Sequence, residues 1–121
     1  MNETLVLITL LCTKHFLVDF ILQTRYQWIN KGRYGHPGGI LHATLHGGAT
    51  IICFIAFSGY IALLLGLLDG IIHYHIDWIK ENIAKKFQWR AEQHTQFWWL
   101  LGLDQFFHML TYIFLISLSQ L

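Results

Sequence analysis

Apolar residues dominate four stretches of the chain, at about residues 4–23, 39–57, 60–83 and 97–118. Each is close to the ~20 residues that a helix needs to cross the hydrocarbon core of a bilayer. The segments between them are polar and rich in turn formers. Residues 24–38 hold Arg25, Lys31 and Arg33 among glycines and the only proline, which predicts a polar loop with interfacial aromatics. The link Phe57-Ser58-Gly59-Tyr60 is short and uncharged, so the second and third spans are expected to be antiparallel neighbours. Residues 84–96 are polar and basic, with Phe87, Trp89 and His94, and predict a short helix or loop at headgroup level. Phe97, Trp98 and Trp99 then mark an interfacial belt, with Trp78 and Trp89 as further anchors. No strand-like alternation competes with helices. The expected fold is all-α, an antiparallel bundle of four transmembrane helices forming one integral-membrane domain.

Inside the spans the ionisable residues also keep helical spacing. His15 and Asp19, His42 and His46, Asp69, His73 and Asp77, and Asp104 and His108 all recur at four-residue intervals, which stacks each set on one helix face. Lys14 is one residue round from His15 and is expected to point elsewhere. His75 falls on a different face from His73, and His36 and His94 fall in loops. A single carboxylate near the bilayer centre costs on the order of 2.5–3.5 kcal/mol, so such residues are expected to face the bundle interior.

Their depths agree. Counted from the basic side at about 1.5 Å per residue, Asp19, His42 and Asp77 lie roughly 6–8 Å in. By the same rise His15, His46, His73 and Asp104 lie roughly 11–14 Å in, and Asp69 and His108 roughly 17–20 Å. Every span thus offers acid or imidazole groups to one half of the bundle, which predicts a single polar chamber. The other half is nearly all Leu, Ile and Phe.

Composition agrees with the class and narrows the function. The chain is 55% hydrophobic and 12% charged over 121 residues, too apolar for an ordinary soluble domain. A formal net charge of +1, with no basic stripe, excludes a nucleic-acid partner. Cys12 and Cys53 stand alone in apolar runs and are expected to be small buried hydrophobes. The first apolar stretch has no basic residues before it, so it is read as a span and not as a removable signal peptide. Seven of the eight Lys and Arg residues flank two connections, which predicts a cytoplasmic basic side and both termini on the other side.

Facing His and Asp residues in a helix bundle are the usual makings of a metal site. Imidazole and carboxylate suit zinc first, with manganese or iron as alternatives, and the lack of paired thiolates argues against copper(I) or iron–sulfur. Nine residues are candidate ligands for one or two ions: His15, Asp19, His42, His46, Asp69, His73, Asp77, Asp104 and His108. Interhelical hydrogen bonding is the alternative use for the same groups. Gln23 and Gln105 are candidate donors to a substrate or ligand. Gly66, Gly70 and Gly102 offer close-packing surfaces for a homo-oligomer.

The runs His15-x3-Asp19, His42-x3-His46, Asp69-x3-His73-x3-Asp77 and Asp104-Gln105-x2-His108 resemble a family of small uncharacterised integral-membrane proteins of bacteria and phages. More distantly they are similar to proposed metal-dependent hydrolases of the bacterial inner membrane. The resemblance implies the same positions as site residues. The function expected is a membrane-embedded metallohydrolase acting on a lipid-linked or amphipathic substrate, with Asp69 and Asp104 as candidate catalytic carboxylates. A divalent-cation or proton transporter is the alternative, and a non-catalytic accessory protein is a third possibility.

Overall fold

The computed structural model describes residues 2–121. Helix α1, Glu3–Phe16, starts at an Asn2 cap whose side chain accepts from the Thr4 amide at 2.8 Å, and it runs on into a π-helical turn at Leu17–Ile21. A short helix α2, Arg25–Asn30, follows, then α3 (Pro37–Ser58), α4 (Ile61–Phe87) and α5 (Thr95–Ser119). Among the described residues there is no strand. Four helices, the first counted through the π turn to Ile21, are long and apolar enough to cross a membrane. They form the expected antiparallel bundle.

The ends of α3 and α4 follow from local chemistry. His36 caps α3, its Nδ1 accepting from the Gly38 amide at 3.0 Å, with Pro37 in the first turn where a missing N–H costs nothing. Gly59 ends α3 at φ +54°, and its N–H bonds back to the Ile55 carbonyl, so the chain reverses at once into α4. Helix α4 ends at Gln88, in left-handed conformation. His94 is also structural: its Nδ1 accepts from the Arg90 amide at 3.0 Å just before α5.

Helices α3 and α4 pack closest, because Gly47 meets Gly66 and Gly70 across the pair. A Cβ on Gly47 would lie 2.7 Å from the Gly66 carbonyl oxygen, and one on Gly66 would lie 2.6 Å from that of Gly47. Two of the glycines expected at an oligomer interface, Gly66 and Gly70, are therefore used within the chain. Gly102 has open space beside it.

The bundle is divided along its length. Away from the basic connections the interior is apolar, built from Leu7, Leu11, Phe54, Ala62, Leu65 and Leu115, each no more than 1% exposed. Toward the basic connections the interior is polar. The outer surface carries large apolar side chains such as Ile52, Leu64, Phe106 and Ile113, as a lipid-facing belt requires. Cys53 is buried as expected, but Cys12 lies on that outer surface, because its position on α1 falls outside the inward stripe of Leu7 and Leu11. Residues 24–38 are not the plain loop that the sequence predicts. Helix α2 lies across the chamber end and turns Gln27, Asn30 and the following Lys31 inward, all three buried.

Candidate metal centre

The nine residues that the sequence singles out are all buried, none more than 7% exposed. Helix direction explains how residues at different depths meet. Side chains lean toward the N-terminus of their own helix. On α1 and α4, which run toward the basic end, Asp19 and Asp77 lean inward. On α3 and α5, which run away from it, His42 and His108 lean back. His108, expected well below Asp77, consequently brings its Nε2 to 3.2 Å from Asp77 Oδ1.

The π turn serves Asp19. The Leu22 amide bonds to the Leu17 carbonyl at 2.8 Å across a widened turn, and Asp19 lies within it. Such insertions recur at functional sites because they re-aim a side chain without ending the helix. Asp19 Oδ1 accepts from His46 Nε2 at 2.8 Å and lies 3.0 Å from His42 Nε2 and 3.6 Å from His73 Nε2.

At the centre three atoms form a nearly equilateral triangle. His42 Nε2 and His73 Nε2 are 3.3 Å apart, and Asp77 Oδ2 lies 3.2 and 3.3 Å from them. Bonds of about 2.0–2.1 Å around a tetrahedral ion place neighbouring ligand atoms about 3.3 Å apart. The triangle is thus the size of one face of such a tetrahedron.

Hydrogen bonding accounts for part of it, since a proton on His73 Nε2 would be donated to His42 Nε2 at 3.3 Å, but it leaves Asp77 Oδ2 unsatisfied. His42 Nδ1 lies 3.1 Å from Gln27 Oε1, an oxygen that only accepts, so a neutral His42 places its one ring proton there and turns a bare Nε2 to the centre. Asp77 Oδ2 lies within 3.3 Å of His42, His73 and Lys31 Nζ, yet it makes no aligned hydrogen bond. Lone pairs pointing at one another in a buried site are costly unless a cation sits between them. Two sets of donor atoms lie within 4.8 Å of one another, Asp19 with His42, His46 and His73, and His73 with Asp77 and His108. These buried groups could hold a metal ion.

Three residues missed as site members by the sequence reading surround this centre. Lys31 Nζ lies 3.3 Å from Asp77 Oδ2. Burial alone would push its ammonium down, but the carboxylates, Asp77 foremost and then Asp19, Glu81 and Asp104, outweigh burial and hold it above the ordinary lysine value. Gln27 orients His42 from the same short helix. Lys14, expected to point elsewhere, is 6% exposed and faces inward, its Nζ 2.6 Å from Asp69 Oδ2 and 3.1 Å from His46 Nδ1. The signal was present in the stripe Leu7, Leu11, Lys14, Val18, whose spacing of four, three and four keeps to one helix face.

The remaining expectations divide. Asp69 is apart from the triangle, where Thr50 Oγ1 donates to the same Oδ2 that Lys14 holds, at 2.6 Å. Asp104 Oδ1 lies 3.5 Å from His108 Nε2 and has no hydrogen-bond partner. His15 sits between Tyr112 and Gln105, at 2.7 and 2.9 Å. Gln105 thereby orients His15, and its amide also donates to Asp104 Oδ2 at 3.0 Å. Gln23 bonds only to the Asp19 backbone carbonyl. His75 stays outside the chamber, 2.9 Å from the Tyr34 hydroxyl.

Two cavities open on the bundle surface. The larger, about 560 Å³ between α3 and α4, touches none of the nine residues. The smaller, about 250 Å³ between α4 and α5, is walled by Ile79, Leu103 and Phe107 and reaches Lys80 and Asp104.

No curated protein and no solved structure is detectably similar to the chain. Residues 6–121 match the family described as "Protein of unknown function (DUF3307)". A match over nearly the whole chain, spanning every helix that contributes to the chamber, makes this protein a member of the DUF3307 family.

Proposed function

We propose that the chamber binds one divalent ion, zinc by preference, and that the protein is a membrane-embedded metal-dependent hydrolase of the bacterial inner membrane. The carrying observation is the triangle of His42, His73 and Asp77, whose sides of 3.2–3.3 Å suit a tetrahedral ion with the fourth position left over. His73 is common to both donor sets, and its Nε2 has one lone pair to give, which favours a single ion over two. Zinc fits a set of imidazole and carboxylate donors without thiolate.

Such an ion, held by His42, His73 and Asp77, would supply Lewis acidity and would lower the pKa of water to about 7. The chain's own groups supply the rest. With Asp69 engaged by Lys14 and Thr50, the free oxygen of Asp104 is the better general base. Lys31 and the neighbouring basic residues draw an anionic group toward the chamber mouth. The apolar cavity between α4 and α5, with Asp104 at its polar end, suits the tail of a lipid-linked or amphipathic substrate arriving from the bilayer. The basic side is read as cytoplasmic, which puts both termini on the opposite side. The apolar half of the interior supports chemistry over passage, since a conduit for cations or protons needs polar groups leading to both faces.

Elemental analysis after extraction in mild detergent tests the reading, with a His73→Ala/Asp77→Ala variant beside the wild type. About one ion per chain is expected in the wild type and none in the variant. Equally negligible metal in both would defeat the proposal. Reconstituted vesicles separate the enzyme from a transporter, because metal-dependent ion flux without hydrolysis of any lipid ester or phosphate would overturn the catalytic reading.

A further inference from the structure

The five chamber histidines are not equivalent, and for His15, His42 and His46 the partner of the second ring nitrogen sorts them. Behind His46 lies Lys14, whose Nζ is 3.1 Å from His46 Nδ1. The same Nζ is 2.6 Å from Asp69 Oδ2, and 4.6 Å from the centre of the Tyr112 ring. Asp69 Oδ2 also accepts from Thr50 Oγ1 at 2.6 Å, so it receives two donors and is a carboxylate facing an ammonium. An ammonium has three donors and no acceptor. His46 Nδ1 must then accept, and the one proton of a neutral imidazole sits on Nε2. That Nε2 is 2.8 Å from Asp19 Oδ1.

We propose that Lys14 is a positioning residue that fixes His46 as the Nε2–H tautomer, making it a hydrogen-bond donor that holds Asp19 instead of a metal ligand. No change of charge is involved, only which ring nitrogen carries the proton. His15 is fixed in the same sense from another side. Its Nε2 faces Gln105 Oε1, whose amide nitrogen is committed to Asp104, so Nε2 donates and Nδ1 accepts from the Tyr112 hydroxyl. His15 Nε2 also lies 3.2 Å from Asp19 Oδ2. Asp19 is thereby held at Oδ1 by the His46 N–H, with the His15 Nε2–H, donated to Gln105, beside Oδ2, and neither imidazole offers a lone pair to the ion. His42 is the contrary case, with its Nδ1 proton directed to Gln27 and its Nε2 bare. His15 and His46 are thereby set aside as ligands, which leaves His42, His73 and Asp77 at the centre, with Asp19 held alongside and His108 Nε2 3.2 Å from Asp77 Oδ1.

This inference concerns the proposed metal centre, but its first readout needs no metal. In protein labelled with ¹⁵N-histidine, the His46 resonances are identified by their loss in His46→Gln. The expected wild-type pattern is a protonated Nε2 and a bare Nδ1. Lys14→Arg keeps a donor at that place and is expected to keep the pattern. Lys14→Met/Asp69→Asn removes the ion pair as a unit, so that no lone buried charge remains, and is expected to shift the Nδ1 resonance toward the protonated form. A protonated Nδ1 in the wild type would overturn the proposal, as would an unchanged spectrum in the double variant. The second readout is the number of imidazoles around bound zinc by X-ray absorption, expected to be the same in wild type and His46→Gln. One imidazole fewer in His46→Gln would make His46 a ligand and refute the assignment. Failure to bind zinc at all would defeat the metal reading and leave the tautomer result to decide this one.

Discussion

Replacing Gly47 with alanine should damage the centre from outside it. The added Cβ would lie 2.7 Å from the Gly66 carbonyl oxygen, and ordinary contact begins at about 3.4 Å. The obstacle is backbone, so no side chain can swing away, and α3 and α4 must part by about 0.7 Å. Overpacking of this kind costs about 1–3 kcal/mol of stability. The same displacement acts on the triangle, because His42 is on α3 while His73 and Asp77 are on α4. The two sides that run from His42 would lengthen by that amount while His73–Asp77, within α4, stays at 3.3 Å, which asks for metal–ligand bonds of about 2.3 Å, at the edge of the tolerance of about 0.2 Å around zinc distances. Gly47→Ala is therefore expected to lower zinc affinity at least tenfold as well as stability. Gly48→Ala is the control, since a Cβ there meets nothing within 4 Å. Competition with a chromogenic chelator measures the affinity, and unfolding in mixed micelles measures the stability. A Gly47→Ala protein that matches Gly48→Ala in both would refute the coupling of helix spacing to the site.

Two further outcomes follow from helix α2. Gln27→Ala removes the acceptor that holds the His42 ring, and losses of about 10–100-fold in metal affinity are expected for groups of that kind, with little change in stability; an unchanged affinity in the chelator assay would show that His42 needs no such support. Lys31 has a folded-state pKa above its ordinary 10.5, so its pairing with Asp77 stabilises fully below about pH 10.5 and is lost as pH rises through the higher folded value. Thermal midpoints of wild type and Lys31→Met should therefore converge above that pH, and a constant difference through the alkaline range would contradict the assignment.

The bundle and its chamber were legible because both rest on short-range regularities. Span length comes from apolar runs, and a costly pair such as His73 and Asp77 at four-residue spacing has to be buried together. Lys14 was misread because neighbours on a helix differ by about 100°, while α1 turns a wider face than that to its neighbours and buries Lys14 and His15 alike. The π turn at Leu17–Ile21 has no counterpart in a regular four-residue count, so the way Asp19 reaches three histidines was not readable. Helix α2 is only 6 residues long and carries no apolar stripe, which left Gln27 and Lys31 looking like loop residues. The glycines of α4 were read as a surface for another copy, since sequence shows that a backbone can be approached closely but not by whom.

If the protein works as proposed, the packing of Leu7, Leu11, Phe54, Leu65 and Leu115 closes one end of its interior. An ion or substrate then has to leave by the end through which it entered, and the centre answers to the acidity and free-metal level on that side alone.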